Sequence, residues 1–318
     1  MEAGSLARRL TDARWRQIVR WGAPVAYVLL LTAFVWRDGV PASRDRLLLW
    51  IILGLLAFST TNVKGWARGV VLEWLPLFAI LWIYDILRGQ ADGLLFATNV
   101  TPQIEAEKLL CLGTVPTVWL QQHLWDGPVT LGWWDYLAWG VYVSYFLVTY
   151  LLAGFLWFVA RERFRRYVAT VSLLALMGFA TYALFPAAPP WMASQLGEIE
   201  WTTRTIGLIS SHIPILDFAG LFERGSEYAN PVAAVPSLHA AYTLLSTIFL
   251  WRHVPRWGRP ALALYPVAMT WALAYTAEHY VVDALLGFVY TVVAIWAVNR
   301  AAEWLAARRA APDEIAAA

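Results

Sequence analysis

Three observations predict an all-α integral membrane protein of about eight transmembrane helices. Of the 318 residues, 60% are hydrophobic and 14% charged, and the mean hydropathy of +0.54 is too high for an ordinary soluble domain. The apolar residues gather into runs of spanning or near-spanning length. Most of the 24 basic residues fall at alternate junctions between those runs, the asymmetry that orients helical membrane proteins. Composition also excludes classes. A net charge of +2 is too small to imply nucleic acid. The single cysteine, Cys111, rules out an intramolecular disulfide and a cysteine metal cluster, and leaves the redox compartment undecided.

The first run, near 21–36, follows a basic amino end containing Arg8, Arg9, Arg14, Arg16 and Arg20. Val40-Pro41-Ala42 after it also matches a small-residue cleavage site, so a signal peptide is the rival reading; the span is expected to be retained. With the second run, near 47–62, it makes an N-terminal helix pair over 1–66. The third, near 69–87, closes on Tyr84-Asp85-Ile86-Leu87-Arg88-Gly89. A long loop over 88–132 contains Ile104 to Leu110 and Pro116 to Gln121, short amphipathic stretches suited to the interface. The fourth and fifth runs, near 133–160 and 167–185, are joined by Arg161-Glu162-Arg163-Phe164-Arg165-Arg166, a topology signal at the headgroups. A second long loop, 186–236, precedes runs near 237–251, 261–278 and 281–299. Loops of this length within a compact protein are usually functional or structured. The runs from 67 to 303 are expected to form the catalytic domain, and 304–318 an alanine-rich cytoplasmic tail.

Eight spans return both termini to one side, and the basic junctions mark that side as cytoplasmic. Trp21, Trp36, Trp50, Trp133, Trp134, Trp251 and Trp257 flank the runs, as interfacial anchors do. Lys64 and Lys108 are the only lysines. The arginine-rich, lysine-poor, alanine-rich composition points to a GC-rich genome and a bacterial inner membrane.

Two short motifs carry the chemistry. Pro236-Ser237-Leu238-His239 opens one apolar segment, and Glu278-His279-Tyr280-Val281-Val282-Asp283 lies forty residues on, between two more. By the charge pattern both fall on the extracytoplasmic face. On a helix, His279 and Asp283 share a face, so the carboxylate accepts from one imidazole nitrogen and leaves the other to act as nucleophile or base. The same residues form a possible metal-ligand set, although their spacing is unlike common zinc motifs. His123, His212 and His253 stand alone and are assigned no role.

These motifs resemble the second and third motifs of the type-2 phosphatidic acid phosphatase superfamily. Within it, the HYxxxD form, Phe185-Pro186-Ala187-Ala188-Pro189-Pro190-Trp191 and Pro116 to Gln121 resemble the inositol phosphorylceramide synthase branch. The resemblance implies that the last six spans form a phosphatidic acid phosphatase-like catalytic bundle. It implies His279 as the nucleophile, through a phosphohistidine, with Asp283 holding its tautomer and His239 as general acid and then base. Ser237 and the helix N–H groups beside it are expected to bind phosphoryl oxygens. The scheme requires no cofactor and no metal.

The chain departs from the superfamily's pattern in two ways. No KxxxxxxRP motif precedes the sixth span, and Leu273 stands where the third motif has its arginine. Another cation must stabilise the phosphoryl transition state. Arg88 is the first candidate, and Lys108, Arg204 and Arg224 are further ones on the loops. The missing phosphatase motifs favour a phosphotransferase that moves a phospho-head group, such as phosphoinositol from phosphatidylinositol, to a lipid or polyprenyl alcohol. A lipid phosphate or polyprenyl diphosphate phosphatase using the same residues is the alternative, and a proton-coupled lipid carrier the third reading. The expected partners are a phospholipid donor, an alcohol acceptor and membrane lipids.

Overall fold

The computed structural model describes residues 2–38, 44–60, 62–90, 96–213 and 230–316, with the backbone alone for 2–16, 44–45, 88–90 and 310–316. Helices dominate, and no strand forms among the described residues. The described chain divides into two compact units, one made of the chain up to Ala79 with Ile213 and the other of Ile80–His212 and the chain from Asn230 on.

The first unit contains α1 (Glu2–Asp38), α2 (Arg44–Ala57), α3 (Val63–Gly69), a π-turn over Val70–Trp74 and the start of α4 (Leu75–Gln90), whose residues from Ile80 on belong to the second unit. Asn62 starts α3 by accepting the Gly65 N–H at 3.0 Å, as N-cap residues do. α1 packs on α2, where the Tyr27 hydroxyl donates to the Trp50 carbonyl at 3.0 Å and Phe34 meets the Trp50 ring at 5.2 Å.

The second unit contains α5 (Thr101–Leu110), α6 (Pro116–Leu124), α7 (Trp133–Val159), α8 (Arg161–Leu184), α9 (Pro190–Gln195), α10 (Thr205–Ser211), α11 (Leu238–Leu250), α12 (Arg259–Tyr275) and α13 (Val281–Ala316). Proline stands in the first turn of α5, α6, α9 and α12, where its missing N–H is no loss and its fixed φ suits the helix. α7 begins where the Gly132 N–H donates to the Asp135 carboxylate at 2.7 Å.

Each of the eight apolar runs contains a helix, that of the second run ending at Ala57 and that of the seventh at Tyr275. Residues 17–38, 63–87, α7, α8 and 281–309 are long and apolar enough to cross a membrane, while 46–57 and α11 are shorter apolar helices. The last helix continues beyond the run near 281–299 to Ala316, because alanine favours helix strongly and Arg300 pairs with Glu303 at 3.0 Å one turn on. Both long loops carry helices, α5 and α6 in one and α9 and α10 in the other.

α11 is the centre of the second unit, packed on α7, α8, α12 and α13. Its seam with α13 is tight at Gly287, where a Cβ would come within 2.3 Å of the Ser237 carbonyl oxygen. A larger residue there would push apart the two helix starts that carry the motifs. Thr291 fastens the seam one turn further along, its hydroxyl donating to the Ala241 carbonyl at 2.9 Å.

Candidate active site

α12 ends in a Schellman turn. The Glu278 N–H bonds back to the Leu273 carbonyl at 3.0 Å and the Ala277 N–H to the Ala274 carbonyl at 3.2 Å, with Ala277 in the left-handed region at φ 61°. Glycine usually fills that position. The turn delivers Glu278 and His279 to the unit's centre, and α13 starts only at Val281. His279 therefore lies in an irregular link between two helices, not on one as the four-residue spacing predicts. Asp283 is the third residue of α13, and the pair still approaches, with His279 Nδ1 at 3.6 Å from Asp283 Oδ2.

The shorter contact of Nδ1 is to the Ala234 carbonyl, at 2.9 Å. Both neighbours of Nδ1 are acceptors, so the ring proton resides on Nδ1 and Nε2 presents its lone pair. Nε2 faces His239 Nδ1 at 3.3 Å. Asp283 is fully buried. Its Oδ2 accepts the Tyr280 N–H at 2.9 Å, while Oδ1 has no hydrogen-bond partner and so keeps capacity for a second N–H.

His239 occupies the first turn of α11 against three rings of α7. Its centroid lies 5.0 Å from Tyr142, 4.3 Å from Tyr145 and 6.2 Å from Phe146. Aromatic faces favour a cationic ring. Ser237 caps α11, its hydroxyl accepting the Ala240 N–H at 3.4 Å and its own N–H donating to the Asp283 carbonyl at 2.9 Å. It is fully buried and binds the two motifs to each other.

The proline-rich segment forms the wall behind these residues. The Ala187 N–H donates to the Val232 carbonyl at 2.7 Å, the Ala188 N–H to Asn99 at 2.9 Å and the Trp191 N–H to Ala277 at 3.2 Å. Tyr182 on α8 donates to the Pro236 carbonyl at 2.8 Å. Both long loops are thereby tied to the backbone that leads into each motif.

Further polar residues complete the frame. Glu107 on α5 is fully buried and accepts the Val281 and Val282 N–H groups at 3.0 and 2.9 Å, capping α13 beside Asp283. Burial raises its pKa, the two N–H groups oppose that, and Asp283 adds to the rise. The Tyr280 hydroxyl is held above its ordinary value by burial and then by Asp283 and Glu107. Gln121 on α6 donates to the Tyr275 and Thr203 carbonyls at 2.7 and 2.8 Å, and its carbonyl accepts the Thr203 N–H at 2.8 Å. Thr203 precedes Arg204, whose guanidinium forms a two-pronged pair with Glu278 at 2.7 and 3.0 Å. Burial lowers the pKa of Arg204, but Glu278, with a smaller share from Tyr142, leaves it raised.

His239, His279, Asp283 and Ser237 thus meet in one cluster. Lys108 does not point into the frame as its neighbour Glu107 does, but pairs with Glu105 at 3.7 Å on an exposed face. Arg88 lies in the last turn of α4, with its side chain outside the described residues, and Arg224 also lies outside them. Among the described residues, no group of three histidine, cysteine, aspartate or glutamate side chains is spaced to hold a metal ion.

Residues 112–297 match the PAP2 superfamily, more than half of the chain, and the protein belongs to that superfamily. Among curated relatives it is 31% identical over 156 residues to the phosphoinositol dihydroceramide synthase of Bacteroides thetaiotaomicron, covering 46% of this chain and 50% of that one. It is 27% identical over 167 residues to the inositol phosphorylceramide synthase catalytic subunit of Schizosaccharomyces pombe, covering 50% and 39%. Against the inositol phosphorylceramide synthase of Candida albicans it is 26% identical over 246 residues, covering 73% and 49%. The chain thus spans about half the length, or less, of these relatives. No solved structure gives a significant match.

Proposed function

We propose that the protein is a membrane lipid phosphotransferase that moves phosphoinositol from phosphatidylinositol to a lipid alcohol through a phosphohistidine at His279. The observation that carries this reading is the orientation of His279, with Nδ1 against the Ala234 carbonyl at 2.9 Å and Nε2 directed at His239, 3.3 Å away. Nε2 attacks phosphorus, the N–P bond forms, and the P–O bond to diacylglycerol breaks. His239, entering as imidazolium, gives its proton to the departing alkoxide. Neutral His239 then takes the proton of the acceptor hydroxyl, whose oxygen attacks phosphorus while the N–P bond breaks and its electron pair returns to Nε2. Asp283 stabilises the cationic ring between the two steps. In-line displacement sets the leaving oxygen across phosphorus from the nucleophile, so His239 must swing away from Nε2 as the phosphate enters.

The relatives named as synthases support a transferase with a ceramide-type alcohol as acceptor. The basic turn between α7 and α8, at the opposite end of α8 from Tyr182, supports cytoplasmic termini and a site that opens outward.

The test is to incubate detergent-purified protein with phosphatidylinositol and ceramide and follow lipids by mass spectrometry. The expected result is a new inositol phospholipid with matching diacylglycerol, reduced by at least about 10³-fold in His279→Ala. Inorganic phosphate released from phosphatidic acid with no acceptor alcohol would instead identify a phosphatase. Full turnover by a folded His279→Ala protein would eliminate the phosphohistidine.

A further inference from the structure

We infer that Arg204 binds the phosphate of the donor lipid and that Glu278 is its positioning residue, an inference that rests on the phosphotransferase reading. Phosphoryl transfer places charge on the non-bridging oxygens and needs a fixed cation beside the nucleophile. The third-motif arginine is missing at Leu273, which is fully buried. Yet the Leu273 carbonyl anchors the N–H groups of Glu278 and His279 at 3.0 and 3.3 Å. Glu278, held there, draws in an arginine from 74 residues earlier in the chain. The charge missing from α12 is thereby restored from the loop over 186–236.

The geometry suits a phosphate ligand. The carboxylate is a buried seat, with 9% of the Glu278 side chain exposed, whereas 37% of the Arg204 side chain is open. The two-pronged pair fixes the plane of the guanidinium, and Trp191, last residue of the proline-rich segment, lies beneath it with Cζ 5.2 Å from the ring centroid. Gln121 clamps the backbone immediately before it, through both the N–H and the carbonyl of Thr203. Through Glu278, Arg204 thus adjoins His279 along the chain. A planar guanidinium held in this way matches two phosphate oxygens better than a lysine ammonium does.

Orthovanadate, a five-coordinate mimic of the phosphoryl transition state, tests the site without knowledge of the donor. Its affinity for the full-length protein in detergent is read by vanadium-51 NMR, beside a thermal melt of each variant. We expect Arg204→Gln to bind vanadate about 30-fold more weakly and Arg204→Lys, which keeps charge and stem but not the fork, about tenfold more weakly. Affinity within threefold of the native protein in either folded variant overturns the inference, and Arg204→Lys decides if Arg204→Gln does not fold. Glu278→Gln leaves the arginine present but unseated, and is expected to raise KM for phosphatidylinositol about tenfold with kcat within threefold, a split that loss of fold does not produce. Arg204-dependent vanadate binding without phosphoinositol transfer would sink the donor assignment and keep this site. His279-dependent transfer that Arg204→Gln leaves intact would sink this site alone.

Discussion

The start of α11 is capped by its own sequence, whereas the start of α13 is capped from 174 and 175 residues away. Ser237 accepts the Ala240 N–H three residues on. At α13, Asp283 supplies one local bond to the Tyr280 N–H, but the Val281 and Val282 N–H groups go to Glu107 of α5. The helix carrying His239 has its cap within one turn. The link carrying His279 is complete only when Glu107 of the loop over 88–132 docks, so it depends on a residue that no motif identifies. The two starts are then held together by the Ser237 N–H to Asp283 carbonyl bond at 2.9 Å and by the close approach at Gly287.

Three substitutions separate these contributions, read as unfolding midpoints in detergent and as turnover. Gly287→Val should have the largest effect, about 3 kcal/mol with loss of activity, because its side chain must displace the Ser237 backbone; a neutral result would mean the seam is not tight. Glu107→Gln should cost about 2 kcal/mol, since an amide NH₂ then confronts a helix N–H. It should also change the pH profile. Burial raises the pKa of Glu107 in the folded state, so the folded protein holds that proton more tightly than the unfolded chain. Its contribution is greatest below the ordinary glutamate range and is lost as pH climbs from that range through the raised value. Glu107→Gln should remove that decline, and a variant that keeps the native slope would assign it to another group. Ser237→Ala should have the smallest effect, about 1 kcal/mol, as for other N-caps. If it equals Glu107→Gln, the contrast between local and distant capping fails.

The same contrast governs what the sequence reveals. Apolar runs are legible because burial in lipid needs no particular partner, and each of the eight contains a helix. Ser237 is legible as a cap because its partner is three residues away. Glu107, Gln121 and the Arg204–Glu278 pair act across 74 to 175 residues; Gln121 and Glu278 fall in recognisable motif stretches and Arg204 is a candidate cation, but nothing local reveals their partners, and nothing local marks Glu107 at all. Glu107 sits in a stretch that reads as interfacial, beside Lys108, whose charge attracts attention although its side chain pairs at the surface. The Schellman turn escapes notice because alanine stands at position 277, where a glycine would have marked the end of α12. His279 consequently reads as helical. Tyr142, Tyr145 and Phe146 lie within an aromatic-rich run, and only the packing of α7 on α11 selects them to surround His239.

That surround has a spectroscopic consequence. Protons held over aromatic faces experience ring currents, and His239 stacks on Tyr142 at 5.0 Å with Tyr145 tilted against it at 4.3 Å. Its imidazole resonances should be displaced upfield from those of a solvated histidine, and a lipid that draws the ring out of its nest would return them toward ordinary positions. His239 thus supplies its own chemical-shift label, able to report the entry of a lipid with no dye or isotope on it.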